Sequence, residues 1–361
     1  MSAQNSLSQM DIGRQAFLAG DYRKAAIAFL KGYLQSPELA SHVRFNFGLI
    51  QSRDSSINFD ALLDRALEAT ADPVLRKRLL RFYGFGPAYK GFEQYRESRY
   101  GLKLTSLLEQ RNDNEALERF HLRNEQRLLD FLNDVEGFDE ASKPLVSIIM
   151  PTYNRAEILH ESIDSALAQS YTHFELIICD DGSEDGTEAL IAAIDDSRVI
   201  YVRQENQGAA SARNTALQRA KGDIIAYLDS DNYWHPAYLE LVVAAFTRMP
   251  GRSSVYFDFI DFHLRRGGSL SIRSTRRPTF NHEQLIERPF IDLNTFAHRR
   301  ELYDLFGGFD QALTRRQDYD LILKYTWLRD PYHVPISAAL YQRNDTLEQI
   351  TRLHGRDRTP V

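Results

Sequence analysis

The chain has little of several features that mark special classes of protein. Its 361 residues include one cysteine, Cys179, which excludes an internal disulfide framework and fits a reducing compartment. No apolar run reaches the length of about 18 residues that a membrane-spanning helix needs, so no transmembrane segment is predicted. The first residues, 1–12, are polar and lack the apolar stretch of a signal peptide. These absences favour a cytoplasmic protein, or one held peripherally at the inner face of a membrane.

The chain also has only a small excess of charge of one sign. The net charge of −6 is spread along the chain, which as a whole has no polybasic character, and no nucleic-acid partner is expected. What is present is ordinary for a globular protein, since 43% of the residues are hydrophobic and 26% are charged. A length of 361 residues predicts two domains, each able to bury its own core.

Residues 1–140 have the periodicity of an all-α domain. The stretch "AFLAGDYRKAAIAFLKGYLQSPE" has small residues where two helices would touch, a Gly-Asp-Tyr turn and a terminal proline, and it resembles a tetratricopeptide-type repeat. Asp21 is the expected N-cap of the second helix of this hairpin. Stacked helical hairpins offer a concave surface to a protein partner. They can equally cap or position the next domain, and the sequence leaves both roles open.

Residues 144–361 change to an alternation of strands and helices, which predicts a mostly parallel α/β sheet. An acidic stretch that ends at Pro144 marks the boundary between the two domains. The predicted strands are 145–150, 174–179, 199–202 and 224–228, and the predicted helices lie near 156–169, 187–194 and 208–219. Ligands in such sheets bind beyond the carboxyl ends of the strands.

Polar residues follow three of these predicted strands at their carboxyl ends. They are Thr152, Tyr153, Asn154 and Arg155, then Asp180 and Asp181, and then Asp229, Ser230 and Asp231. Residues i and i+2 of an extended chain share a face, so Asp229 and Asp231 can point to one side. Two carboxylates there suit Mg²⁺ or Mn²⁺ bound together with a substrate phosphate. The alternative is a solvated turn, which Asp, Ser and Asn favour on their own account.

Five motifs occur in a fixed order along the second domain. They are "VSIIMPTYNR", "DDGSEDGT", "ENQGAASARNTAL", "GDIIAYLDSDNYW" and "GGFDQALTRRQDYDLILKY". Together they resemble an inverting family 2 glycosyltransferase of the GT-A fold, over about residues 145 to 345. The resemblance implies a Rossmann-like catalytic domain that moves a sugar from a UDP- or dTDP-sugar to a hydroxyl. It also implies a glycan, lipid-linked or protein acceptor and a place in the assembly of a bacterial surface polysaccharide or glycan.

The donor would be held by the polar strand ends and by the helix that follows the third strand. Asp181 could accept the imide N–H of uracil or thymine, although capping a helix is its structural alternative. Arg155 and Arg213 could each hold a phosphate through charge-assisted hydrogen bonds, unless they are surface charges. The full predicted donor-binding set is Thr152, Tyr153, Asn154, Arg155, Asp180, Asp181, Arg213, Asp229 and Ser230.

The resemblance also assigns the metal and the base. It implies that Asp231 binds Mn²⁺ or Mg²⁺ directly, with Asp229 nearer the ribose or reaching the metal through water. The metal would neutralise the departing diphosphate. Asp318 would be the general base; Asp318 and Asp320 diverge by about 200° around a helix, so only one of them should face the site. Gln317 replaces the Glu that is usual in this family, which puts the details of the acceptor side in doubt.

The acceptor side is predicted to include Trp234, Arg299 and Gln317. An aromatic face suits a sugar ring, but core packing is an equally common use of tryptophan. A competing hypothesis is a catalytically weak sugar-nucleotide-binding scaffold whose helical domain recruits protein partners. A dinucleotide-dependent oxidoreductase is excluded, because the turn after the first strand reads Pro-Thr-Tyr-Asn and has no Gly-x-Gly-x-x-Gly.

Overall fold

The computed structural model describes residues 8–35, 143–264, 270–275 and 278–344, together with scattered residues between 46 and 132. The chain divides into two compact units, Met1–Ser98 with Glu115–Asp134, and Arg99–Asn114 with Val135–Val361. The predicted domain boundary near residue 140 stays a prediction. Among the described residues, no helix is both long enough and apolar enough to cross a membrane.

The described part of the first unit is a helical hairpin. Helix α1 (Gln9–Leu18) and helix α2 (Tyr22–Gln35) are joined by a tight turn. The Asp21 carboxylate accepts the backbone N–H of Lys24 at 3.1 Å, as expected of an N-cap. A Cβ at Gly13 would lie 2.4 Å from the Phe29 ring, so the absence of a side chain there allows the two helices to approach. Most residues of the other predicted helices lie outside the described residues; the few that are described, such as 130–132, are helical.

The second unit begins with four parallel strands. They are β1 (Val146–Thr152), β2 (Phe174–Asp180), β3 (Val199–Arg203) and β4 (Ile224–Tyr227), in the order β3-β2-β1-β4. Three helices connect them, namely α3 (Ala156–Leu167), α4 (Thr187–Ala192) and α5 (Ala209–Arg219). Strands β1, β2 and β4 are buried along their whole length, which explains why their sequences are mostly apolar; the two polar residues in their interiors, Ser147 and Glu175, are hydrogen-bonded to each other at 2.6 Å. These strands and helices confirm the sequence prediction.

The rest of the sheet is mixed. Its strands are β5 (Tyr233–Trp234), β6 (Ser254–Leu264), β7 (Leu270–Thr275), β8 (Phe296–Arg299) and β9 (Tyr332–Asn344). The order continues from β4 through β8, β6 and β9 to β5, while β7 pairs with β6. Strand β8 runs antiparallel to both β4 and β6, and β9 runs parallel to β6. The prediction of a mostly parallel sheet therefore holds for β1–β4, whereas the rest of the sheet has one parallel pair, β6 with β9, among antiparallel ones; short antiparallel strands such as β8 carry no periodic signal in the sequence.

Helices and one 3₁₀ turn connect the later strands. They are α6 (Tyr238–Arg248), α7 (His282–Glu287), the 3₁₀ turn Leu293–Thr295, α8 (Arg300–Phe306) and α9 (Gln317–Thr326). Helix α5 packs on β1 and β2, and the 3₁₀ turn packs on β4. The carboxyl end of β4 is thus flanked by α5 and by the 3₁₀ turn.

Gly222 sets the distance between β1 and the start of β4. Its N–H donates to the Ser147 hydroxyl at 2.7 Å, and a Cβ there would lie 2.5 Å from the Ser147 nitrogen. We expect Gly222→Ala to lower the free energy of unfolding by about 2–3 kcal/mol, because the backbone of a central strand must shift. Urea denaturation of the two proteins measures this. Gly251→Ala is the matched control, since nothing lies within 4 Å of its added Cβ. An equal loss of stability in both variants would contradict the explanation.

Candidate active site

The acidic tip that follows β4 is tied to strands on both sides. The N–H of Leu228 donates to the Ile149 carbonyl at 3.1 Å, which continues the pairing with β1. The buried side chain of Asn232 accepts the N–H of Gln342 on β9 at 2.9 Å. The tip residues Asp229–Asn232 therefore lie at the carboxyl end of β1 and β4, where the sequence predicts ligand binding.

Asp229 has a donor on each carboxylate oxygen. Arg213 on α5 donates from Nη2 to Oδ1 at 2.6 Å, and Asn294 donates from Nδ2 to Oδ2 at 3.0 Å. Burial lowers the pKa of Arg213, but the ion pair with Asp229 outweighs it, and the pKa lies above its ordinary value. The guanidinium also lies over the Phe309 ring, 5.4 Å from its centroid. Both residues are held in one orientation before any ligand binds.

Asp231 is in a different environment. Burial and the neighbouring Asp229 carboxylate raise its pKa to about 6, while Arg155 and Arg213 act in the opposite direction. Within the described part of the chain, no other side chain donates a hydrogen bond to the Asp231 carboxylate. A largely buried carboxylate beside a second carboxylate, to which no described side chain donates a hydrogen bond, suits a divalent cation, so the residues present fit the metal that the resemblance implies.

The protein alone would not complete the coordination of such a metal. The described residues include no group of three or more His, Cys, Asp or Glu side chains arranged to hold a metal ion. Mg²⁺ and Mn²⁺ commonly take one or two carboxylates together with substrate phosphates and water. Asp231 and the neighbouring Asp229 would supply the one or two carboxylates of such a ligand set.

The turn after β1 is hydrogen-bonded to the turn after β2. Asn154 has a left-handed backbone with φ of 50°. Its N–H donates to the Ser183 hydroxyl at 2.8 Å, and its Oδ1 accepts the N–H of Glu184 at 2.9 Å. Tyr153 has 45% of its surface exposed, whereas Thr152 is buried. Arg155 lies close enough to Asp231 to lower its pKa. The exposed Tyr153 ring and the position of Arg155 near Asp231 are consistent with the predicted donor contacts, which stay predictions.

Asp180 is turned inward. It is fully buried and accepts hydrogen bonds from the Ser183 N–H and the Tyr201 hydroxyl, both at 2.8 Å. One Asp180 oxygen thus stabilises the turn after β2 and the other holds Tyr201 on β3, and a contact of Asp180 with the donor stays a prediction. Ser230, in the acidic tip, is also largely buried.

Asp181 holds the loop that leads into α5. It is 4% exposed and accepts N–H groups from Gln204 at 2.7 Å, Gln207 at 3.0 Å and Gly208 at 2.7 Å. A carboxylate has about four lone-pair sites, so a nucleobase N–H could use only the last one. Asp181 thus shapes the loop 204–208 beside the site, and its contact with the base stays a prediction.

Asp318 lies in the first turn of α9 and is exposed. Burial lowers the pKa of Arg213 and raises that of Asp292. The carboxylates of Asp229 and Asp318 raise both pKa values, so Asp318 lies near Arg213 and Asp292. Asp320 instead forms an ion pair with Lys324 at 3.0 Å. The two carboxylates therefore have different partners, and the role of Asp318 as the one that faces the site stays a prediction. The side-chain amide of Gln317 donates to the Leu313 carbonyl, which closes the turn before α9.

Two residues predicted for the acceptor side lie elsewhere. Trp234 is fully buried, stacks on Tyr238 with ring centroids 4.1 Å apart and donates from Nε1 to the Asn294 carbonyl at 2.7 Å. Arg299 pairs with Ile224 at the amino end of β4, away from the acidic tip, and its guanidinium packs on the Phe246 ring. The structure thus packs the Trp234 ring in the core and places Arg299 at the far end of β4, and contact of either residue with an acceptor stays a prediction.

Three residues of the site were missed by the sequence analysis. Asp292 and Asn294 belong to the 3₁₀ turn beside Asp229, and Tyr341 lies on β9. Burial raises the pKa of Asp292 to about 6, with Asp229 and Asp318 adding to the rise. Burial also raises the pKa of Tyr341, as do the carboxylates of Asp292, Asp231 and Asp229, which places its hydroxyl near all three. The stretch "FIDLNTF" lies outside the five motifs, and only the fold brings it to the tip.

In comparisons with known proteins, residues 147–305 match the family described as "Glycosyl transferase family 2". The chain is similar to an uncharacterised glycosyltransferase of Rickettsia prowazekii, 31% identical over 189 residues, which are 50% of this chain and 58% of that protein. It is also similar to UDP-Glc:alpha-D-GlcNAc-diphosphoundecaprenol beta-1,3-glucosyltransferase WfgD of Escherichia coli. That match is 33% identical over 185 residues, which are 51% of this chain and 68% of WfgD.

Further matches cover smaller shares. Chondroitin synthase of Escherichia coli is 33% identical over 184 residues, which are 50% of this chain and 26% of that protein. The crystal structure of S. aureus TarS 1–349 in complex with UDP-GlcNAc superposes with a TM-score of 0.49 and 20% identity, over 57% of this chain and 60% of that one. The chain thus spans between 26% and 68% of the length of the three curated relatives.

Proposed function

Because the chain belongs to glycosyl transferase family 2, we propose that it moves a sugar from a nucleotide-diphosphate donor to an acceptor hydroxyl, with inversion at the anomeric carbon. The observation that carries this proposal is the meeting of Asp229 and Asp231 with Asp318 around one arginine, Arg213. A departing diphosphate needs its negative charge neutralised, whereas an attacking hydroxyl needs a base to take its proton. These residues would supply both at one edge of the sheet.

The donor's diphosphate would lie over Asp231, near the guanidinium groups of Arg155 and Arg213. Arginine suits phosphate oxygens because it offers a planar set of charged donors. Asp231, with Asp229 beside it, would hold Mn²⁺ or Mg²⁺. When bound, this ion would neutralise the negative charge that develops on the departing diphosphate. Asp229, already fixed by Arg213 and Asn294, would accept a ribose hydroxyl or a water of the metal.

Asp318 would act as the general base. Its exposure allows an acceptor hydroxyl to reach it. In the transfer, the acceptor oxygen forms a bond to the anomeric carbon while the bond from that carbon to the phosphate oxygen breaks. The nucleoside diphosphate leaves with the electron pair, and the hydroxyl proton passes to the Asp318 carboxylate. Attack from the side opposite the leaving group inverts the anomeric configuration.

For the substrates, we propose a UDP- or dTDP-sugar donor and a glycan, lipid-linked or protein acceptor in the assembly of a bacterial surface polysaccharide or glycan. The name of WfgD states transfer from UDP-Glc to a sugar on diphosphoundecaprenol, and a second relative is a chondroitin synthase. An acceptor of the first kind would bring the protein to the inner face of a membrane as a peripheral, cytoplasmic enzyme. The helical hairpin α1–α2 is consistent with a tetratricopeptide-like domain, which would bind a protein partner or position the catalytic domain.

The proposal predicts which nucleotide stabilises the protein. In a thermal-shift screen of nucleoside diphosphates with Mn²⁺, we expect UDP at about 100 times its Kd to stabilise the fold by about 2.7 kcal/mol, an increase in Tm of several degrees. Asp181→Ala should weaken UDP binding, because the loop 204–208 loses the acceptor for three N–H groups.

The matched control for this screen is Asp195→Ala, which removes an exposed carboxylate before β3 and should leave UDP binding unchanged. Stabilisation by GDP or CMP alone would contradict a pyrimidine-diphosphate donor. If UDP binds but is never released from a UDP-sugar with any acceptor, the scaffold hypothesis gains.

A further inference from the structure

We propose that Asn294 is a positioning residue of this site, whose carboxamide fixes the carboxylates of Asp229 and Asp292 in one arrangement. This inference rests on the proposed function and concerns a residue that none of the sequence motifs contains. Asn294 itself need not touch substrate. Its effect on the reaction would pass through the two aspartates.

The contacts of Asn294 use every polar atom of its side chain. Oδ1 accepts the backbone N–H of Asp229 at 2.7 Å. Nδ2 donates one hydrogen to Asp229 Oδ2 and the other to Asp292 Oδ1, both at 3.0 Å. The amide orientation is determined by this pattern, since only the nitrogen can donate to two carboxylates and only the oxygen can accept an N–H. The residue is 3% exposed, so these bonds do not compete with bulk water.

The backbone around Asn294 is equally constrained. The Asp292 side chain accepts the Asn294 N–H at 2.9 Å, and the Thr295 hydroxyl donates to the Asp292 carbonyl at 2.9 Å. The Asn294 carbonyl accepts the indole N–H of the buried Trp234 at 2.7 Å. The turn is thus anchored to the core by a rigid aromatic side chain. This explains what Trp234 does so close to the acidic tip without facing a ligand.

A neutral amide between two carboxylates has a definite physical effect. Each carboxylate gains a hydrogen bond to its ionised form, which offsets part of the repulsion between them. Asp229 is then held from two sides, by Asn294 on Oδ2 and by Arg213 on Oδ1. Asp231 has no such donors among the described residues, which leaves it available as the direct metal ligand. Asn294 therefore contributes to the different roles of the two aspartates.

The test is Asn294→Asp, which keeps the shape and exchanges the donating nitrogen for an oxygen. That oxygen would face two carboxylate oxygens at 3.0 Å. We expect the affinity for Mn²⁺ with UDP, measured by titration calorimetry, to fall about 10- to 100-fold, the usual range for residues that orient metal ligands. We also expect kcat/KM for the donor to fall by a similar factor while the KM for the acceptor stays unchanged. Asn294→Ser, which keeps one donor, should show a smaller loss in both measurements and serves if Asn294→Asp does not fold.

The control is Gln169→Leu. Gln169 is another buried amide, but it bonds only to backbone, at Ser165, His235 and Leu239. This variant should lose stability and keep the affinity for Mn²⁺ with UDP. The inference is overturned if the Asn294 variants bind Mn²⁺ with UDP as the wild type does, or if Gln169→Leu loses the same affinity. Wild-type protein that binds no nucleoside diphosphate with Mn²⁺ would overturn both this inference and the proposed function, whereas unaffected variants of an active wild type overturn the inference alone.

Discussion

Asp318→Asn should abolish sugar transfer and leave the binding of UDP with Mn²⁺ nearly unchanged. The amide has the shape of the carboxylate but cannot take the proton of the acceptor hydroxyl. General bases contribute about 10²- to 10⁴-fold to rates, so we expect kcat to fall by at least about 100-fold. The rate of UDP release in the presence of acceptor measures the loss, and calorimetry with UDP and Mn²⁺ measures donor binding. A parallel loss of both would indicate a damaged fold instead of a missing base.

Asp320→Asn is the matched control for this variant. It lies two residues along the same helix and changes the same chemical group, but the Asp320 carboxylate is paired with Lys324. We expect activity close to that of the wild type. If Asp318→Asn keeps more than a small fraction of its activity, the base must be another carboxylate. Asp292 would then be examined next, because it lies near both Asp229 and Asp318.

The first half of the sheet could be predicted from the sequence for a simple physical reason. Strands buried on both faces are mostly apolar, and β1, β2 and β4 are such runs apart from the hydrogen-bonded pair Ser147 and Glu175, with polar residues following at their carboxyl ends. The parallel order of strands then brings their carboxyl ends to one edge. This is why Asp229, Asp231 and Arg155 could be placed together, with Arg213 on the neighbouring helix, without any structure.

The second half of the sheet could not be predicted in the same way. Strand β8 has four residues and β5 has two, too few to show a period. The contact between Asp229 and Asn294 joins residues 65 positions apart, and it depends on β8 pairing with β4. The sequence also gives no account of which way a side chain at a strand end turns. Sequence alone therefore predicts neither the burial of Asp180 and Trp234 nor the packing of Arg299 on Phe246.

Asp231→Asn should weaken the binding of Mn²⁺ strongly. In the absence of metal, the same substitution should make the protein more stable. The expected loss of Mn²⁺ affinity is at least about 100-fold, because the amide is a neutral and weaker ligand than a carboxylate. The gain in stability follows from the raised pKa. Burial and Asp229 raise the pKa of Asp231 from 3.8 to about 6 in the folded chain, so the ionised form is disfavoured by folding. Replacing it with a neutral amide should relieve on the order of 2–3 kcal/mol above this pH.

The sign of this effect fixes its pH dependence. Well below pH 3.8 the carboxyl is protonated in both folded and unfolded chains, so Asp231→Asn gains nothing there, and at pH 4 it gains only a small part of the full difference. Between the unfolded value of 3.8 and the folded value of about 6, the wild type progressively loses stability relative to the variant, and above that range the full difference remains.

Saturating Mn²⁺ should reverse the order at pH 7.5, because only the wild type then gains binding energy. Urea denaturation at pH 4 and 7.5, with and without Mn²⁺, tests all of this. Asp195→Asn, an exposed carboxylate, should show neither effect. If Asp231→Asn were less stable than the wild type at pH 7.5 in the absence of metal, Asp231 would have a structural role, and the metal site would have to be centred on Asp229.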